Sequence, residues 1–156
     1  MSEASSAESW RGVPAFGSRI ASARYALRPS AYAIIADENG RLAVVRTPEG
    51  IFLPGGGIDP GETPAQAAVR EAREECGLVV RARSWSVRAV QLSFSKAEDQ
   101  HFEKQCTFLD AAIDGPPAAG IEADHELVWL TPAAAAETLS HDSHSWAVDA
   151  FMSRVQ

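Results

Sequence analysis

Cysteine is nearly missing: Cys76 and Cys106 are the only two in 156 residues. One sits in a helical pattern and the other in a strand pattern, so neither a disulfide framework nor a thiolate zinc site is expected, and a reducing, cytoplasmic setting is natural. Long apolar runs are missing as well. No stretch approaches the ~20 residues that a bilayer-spanning helix needs, and Met1 to Ser9, rich in Ser, Ala and Glu, lacks the basic and apolar regions of a signal peptide. No membrane partner is expected. Positive charge is scarce too, with 14 Lys+Arg against 21 Asp+Glu for a net charge of -7. Without a basic stripe to follow a phosphate backbone, long nucleic acid is excluded as a partner. A small anion stays admissible, because a bound cation reverses the sign of a local site.

What is present is an ordinary globular composition, 46% hydrophobic and 22% charged, in a chain of one-domain length. Residues 1–12 are expected to be disordered and 13–156 to form a single domain. Ala31 to Ala36 reads as a strand, Asn39-Gly40 as a hairpin turn and Arg41 to Arg46 as the returning strand. Pro48 to Gly50 is a turn and Ile51 to Leu53 a short strand. Pro54-Gly55-Gly56-Gly57 then calls for an irregular loop. Leu78 to Ser95, Phe102 to Ile113 and Glu126 to Leu130 read as further strands, with Asp114 to Gly120 as a loop. Thr131-Pro132 opens an alanine-rich helix, and Ser143 to Val155 forms a terminal one. The whole is an α/β chain with one mixed sheet and helices packed on it.

One helix stands out. Thr63 as N-cap, Pro64 at the first helical position and Gln66 completing a capping box start it, and Gly77 ends it. Ala65, Ala68, Val69, Ala72 and Cys76 make an apolar stripe. Glu71, Glu74 and Glu75, at i, i+3 and i+4, project from one side at its border. Like charges at this spacing cost on the order of a few tenths of a kcal/mol per pair, and only Arg70 offers local relief. A solvated acidic face is one reading. A hard divalent cation such as Mg²⁺, which takes oxygen ligands, is the other.

The surrounding residues favour the cation. Gly56, five residues, Glu62, seven residues, then Arg70-Glu71-Ala72-Arg73-Glu74-Glu75-Cys76-Gly77-Leu78 resembles the signature box of the Nudix hydrolases, and Leu53-Pro54-Gly55 resembles the family's usual approach to it. Two positions depart from the pattern: Ala72 is smaller than the usual Leu or Ile, and Asp59 replaces a common Glu. The box spans 23 residues, and the strand pattern extends the resemblance from about Ala31 to Leu130.

The resemblance implies an α/β/α sandwich with a loop-helix-loop catalytic motif, holding Mg²⁺ or Mn²⁺ and hydrolysing nucleoside diphosphate derivatives. It implies metal ligation by Glu71, Glu74, Glu75 and the carbonyl of Gly55, with Glu122 as a further ligand from a distant loop that also carries Asp124 and Glu126. Arg70 would orient the carboxylates, and Glu62 would pair with Arg70 or hold a metal-bound water. Glu71 is the first choice of general base, as in relatives resembling MutT; an acid on the distant loop is the alternative.

Markers of substrate lie outside the box. Relatives acting on ADP-ribose usually carry a proline where Gln91 to Ser93 stands, and those acting on diadenosine polyphosphates often carry a tyrosine near Phe94. Neither is present. A nucleoside triphosphate cleaved to monophosphate and pyrophosphate, with oxidised forms such as 8-oxo-dGTP included, is the substrate class left by elimination; ADP-ribose, diadenosine polyphosphates and nucleotide sugars remain alternatives. Gly57 replaces a Lys found in some MutT-like proteins, which puts one phosphate contact in doubt. Trp129, Phe94 and Phe102 are candidate base platforms or core residues. His141 and His144 invite a catalytic role, but their spacing equally suits a helix start that packs Trp146 on the body. A homodimer is compatible with the sequence. Rival functions are a nucleotide-sensing module without turnover and an isoprenoid diphosphate isomerase, which would need a cysteine that Cys76, on the buried stripe, does not supply.

Overall fold

The computed structural model describes residues 9–154; the stretch 1–8 and the end of the terminal helix at Val155 lie outside the described residues. Within the segment expected to be disordered, Arg88 Nη2 donates to the Ser9 carbonyl at 2.7 Å and its guanidinium stands 4.7 Å over the Trp10 ring.

The strands are β1 (Ala15–Phe16), β2 (Tyr25–Ile35), β3 (Leu42–Thr47), β4 (Gly50–Phe52), β5 (Gly55–Gly57), β6 (Val80–Ser95), β7 (Gln100–Ile113) and β8 (Glu126–Leu130). Helices among the described residues include α1 (Pro64–Cys76), α2 (Pro132–Thr138) and α3 (Asp142–Ser153). Instead of one sheet there are two: a five-stranded mixed sheet in the order β1-β6-β7-β2-β5 and a three-stranded one in the order β4-β3-β8. The expected Asn39-Gly40 turn forms, with Asp37 N–H donating to Arg41 O at 2.8 Å. Its arms touch only through the Ala36–Leu42 bridge and then part into different sheets. β2 is claimed by β7, its parallel partner over the whole strand, and β3 by β4 and β8.

Both sheets share one central layer. Ala31, Ala33 and Ile35 of β2, with Ala43 and Val45 of β3, pack under Ala67, Ala68, Ala72 and Cys76 of α1. Tyr32, Ile34, Leu42, Val44 and Phe108 face the opposite way, against Ala135, Ala147, Val148 and Phe151 of α2 and α3. This is the α/β/α sandwich. It explains why Ser30 to Ile35 is buried without alternation, as a strand covered on both faces must be. Phe102 is buried, Trp129 is half-buried against the α1 side, and Phe94 is exposed.

The two histidines are structural. His144 is fully buried, its Nδ1 accepts from Leu53 N–H at 3.2 Å, and its ring lies 4.3 Å from that of Tyr32. Trp146 meets Phe16. Burial holds the His144 imidazole well below the usual histidine range and brings His141 down to about 4. A base whose pKa is depressed on folding contributes stability that is present above its unfolded value near 6.5 and lost as the pH falls through its folded value. The melting temperature should therefore drop between pH 6.5 and 4. His141→Gln, which sacrifices no cap because His141 makes no side-chain cap bond, should give a shallower drop in a pH series of thermal melts; an unchanged slope would remove His141 from the explanation.

Candidate metal centre

Geometry at this site starts with the glycine edge strand. β5, expected as an irregular loop, pairs antiparallel with β2, placing Gly55 opposite Tyr32 and Gly56 opposite Ala31. Gly55 has φ 155°, and a Cβ there would stand 2.2 Å from Ala31 O. Only glycine permits so close an approach. At Gly56 a Cβ would lie 3.3 Å from the Glu71 carboxyl carbon, so the bare backbone makes room for that side chain.

Helix α1 delivers the carboxylates. Thr63 Oγ1 accepts from Gln66 N–H and Gln66 Oε1 from Thr63 N–H, Pro64 occupies the first turn, and Gly77 closes the helix at φ 68°. The buried residues are Ala67, Ala68, Ala72, Glu75 and Cys76, with Ala65 and Val69 partly buried beside them. Glu75 thus lies within the stripe rather than at its border. Gly55 N–H donates to Glu75 Oε1 at 2.7 Å, a bond that offsets part of the desolvation of a buried carboxylate. Burial nevertheless dominates, and with the Glu71, Glu122 and Glu74 charges nearby it pushes the Glu75 carboxyl up to about 8. Burial also raises Glu71, against the opposing pull of Arg70.

Arg70 ties the loop to the helix. Its guanidinium forks onto Glu62 at 2.8 and 2.9 Å and reaches Glu71 Oε1 at 2.8 Å, Glu74 Oε2 at 3.2 Å and Gly57 O at 3.2 Å. That fork, with a further bond from Asp59 N–H, brings the Glu62 carboxyl down to about 2.

Two overlapping groups of candidate ligands form around the helical carboxylates. Ligand oxygens of Glu71, Glu74 and Glu122 lie within 4.8 Å of one another, and so do ligand atoms of Glu75, Glu122 and His125. Glu122 belongs to both. It reaches the helix because its loop is docked there: Glu122 N–H donates to Glu74 O at 2.9 Å, and Ala118 N–H to Gly77 O at 2.7 Å. Asp124 is exposed at φ 64°, and Glu126 pairs with Arg46 at 3.4 Å. His125 was missed by sequence reasoning; the available signal was its place three residues after Glu122.

The donor set suits a divalent cation, since four carboxylates share little space and a single arginine faces them, leaving charge that a hard cation would neutralise. Both cysteines are buried, and burial pushes each thiol up to about 12. Neither is placed to act as a thiolate.

Known proteins resemble this chain in sequence and in fold. The profile of the family described as "NUDIX domain" matches residues 26–150. A Bacillus subtilis protein named "Putative 8-oxo-dGTP diphosphatase" is 32% identical over 104 residues, which is 65% of this chain and 65% of that protein. Among solved structures, an Ap4A hydrolase of C. elegans in a binary complex superposes with a TM-score of 0.63 at 18% identity, covering 82% of this chain and 97% of the other. A MutT protein from Methanosarcina mazei Go1 gives 0.61 at 20% identity, with 86% and 99% covered. These likenesses establish the fold.

Proposed function

Because this chain belongs to the NUDIX domain family, we propose that it is a divalent-metal-dependent hydrolase of nucleoside diphosphate derivatives, acting on a nucleoside triphosphate to give monophosphate and pyrophosphate. The observation that carries the reading is the convergence of Glu71, Glu74 and Glu122 within 4.8 Å, at a site edged by glycine backbone. Similarity to the Bacillus subtilis protein named "Putative 8-oxo-dGTP diphosphatase" supports oxidised guanine nucleotides as substrates. Buried, reduced cysteines fit a cytoplasmic setting. No helix among the described residues is long and apolar enough to cross a membrane.

In this reading Glu71, Glu74, Glu75, Glu122 and the Gly55 carbonyl hold Mg²⁺ or Mn²⁺. When bound, the metal polarises the diphosphate and lowers the pKa of a coordinated water. Glu71 takes the proton from the attacking water as general base. Arg70 fixes Glu71 and Glu74, and Glu62 holds Arg70 in turn. A sensing module without turnover has no need of this complete carboxylate set.

Hydrolysis of a panel comprising 8-oxo-dGTP, dGTP, ADP-ribose, diadenosine tetraphosphate and a nucleotide sugar, with and without EDTA, tests the proposal. Metal-dependent pyrophosphate release from the triphosphates is expected. A preference for ADP-ribose or diadenosine tetraphosphate would sink the substrate class, and turnover that survives chelation would sink the mechanism.

Arg70→Lys provides a further check. A lysine presents a compact point charge and cannot fork onto Glu62 while reaching Glu71, Glu74 and the Gly57 carbonyl. Calorimetric titration should show Mg²⁺ affinity lowered by about 10- to 100-fold, the usual cost of losing a group that orients metal ligands. Unaltered affinity would show that Arg70 does not orient them.

A further inference from the structure

One imidazole nitrogen faces Glu75 and Glu122. His125 Nε2 lies 3.4 Å from Glu75 Oε2 and 3.5 Å from Glu122 Oε2, while its Nδ1 lies 3.0 Å from the Ala123 carbonyl oxygen. A carbonyl can only accept, so Nδ1 carries a hydrogen and donates it. In the neutral ring Nε2 is then a lone pair aimed at two acceptors. A metal ion seated between the nitrogen and the two carboxylates would satisfy all three. A backbone carbonyl that fixes the tautomer from behind is the usual support of a metal-binding imidazole.

Ligand atoms of Glu75, Glu122 and His125 all lie within 4.8 Å of one another, close enough to share one ion. Imidazole nitrogen is a ligand that Mg²⁺ seldom takes and first-row transition ions accept readily.

We infer that His125 Nε2 is a ligand in this metal centre, completing with Glu75 and Glu122 a mixed nitrogen and oxygen position that prefers a first-row transition ion, of the Mn²⁺ and Zn²⁺ class, over Mg²⁺. The inference rests on the metal-dependent reading of the preceding section and adds a ligand and an ion preference to it. Glu122 and His125 come from one loop whose backbone is bonded to the end of α1, so the imidazole is held beside the helix.

The test uses the full, tag-free chain with Mn²⁺ as probe. Pulsed electron paramagnetic resonance of bound Mn²⁺ should show ¹⁴N coupling from a directly bound nitrogen, and His125→Gln, which offers an amide oxygen in place of the ring nitrogen, should abolish it. Equilibrium titrations should show Mn²⁺ affinity falling by at least about tenfold in the variant, and Mg²⁺ affinity changing much less. A second variant, His125→Ala, should give the same loss of ¹⁴N coupling. Mn²⁺ that binds the parent without ¹⁴N coupling, or coupling that persists in both variants, would overturn the inference and leave the metal-dependent hydrolase reading standing. Absence of any divalent binding by the parent would overturn both.

Discussion

Glu71→Gln is expected to lower kcat by about 10² or more, the range typical of losing a general base, with the melting temperature close to that of the parent. The side-chain amide keeps the shape that fits over Gly56 and retains an oxygen to accept from Arg70 Nη1, now at 2.8 Å. What disappears is the negative charge and the capacity to take a proton. Stability should not suffer, because a neutral amide escapes the desolvation that a buried carboxylate carries, which together with the Glu74 and Glu122 charges outweighs the pull of Arg70. Glu122→Gln is the paired variant, expected to have the smaller effect on kcat. A Glu71→Gln protein that stays nearly active beside an inactive Glu122→Gln protein would move the proton acceptor to the 114–125 loop and defeat the assignment, while the metal site could stand.

The second large effect is structural. Gly55→Ala should lower the melting temperature by about 10 °C or more, or prevent folding, since several kcal/mol of strain correspond to a shift of that order in a domain of this size. The added methyl would meet Ala31 O at 2.2 Å and the Tyr32 ring at 2.5 Å, and those are strand backbone and a buried aromatic that cannot move aside. Gly57→Ala is the control. Its methyl would meet nothing nearer than Arg28 Cδ at 4.0 Å, and its melting temperature should stay within a few degrees of the parent. Equal melting temperatures for the two variants would show that the close approach of β5 to β2 is not what requires glycine at position 55.

Helix α1 was legible in the sequence from end to end, because Thr63, Pro64, Gln66 and Gly77 act on their own backbone neighbourhood. The box made the candidate ligands legible as well. Failures came where distant chain decides. Three consecutive glycines have no preference for a strand, and β5 exists because Ser30 to Tyr32 offers it a pairing edge. Asn39-Gly40 correctly marks a turn, but the partner that draws β2 away from β3 arrives only with β7. Helical spacing places Glu71, Glu74 and Glu75 on one side; it says nothing of the Gly55 N–H that holds Glu75 inward. His125 lay hidden for the same reason. A loop histidine acquires meaning only from the backbone bonds that carry its loop to the end of α1.

The parallel pairing of β2 with β7 also governs how the chain is made. Each residue of β2 meets a partner roughly 76 positions later, from Tyr25 with His101 to Ile35 with Ala111. At ~5–20 residues per second, a ribosome needs roughly 4 to 15 s to supply that partner. Throughout that interval Ala31 to Ile35 is an apolar strand with an open hydrogen-bonding edge, the kind of segment that pairs with neighbouring nascent chains. Yield of native protein should therefore depend on synthesis rate and temperature, and on chaperones that shield this segment, more than the stability of the finished domain would suggest.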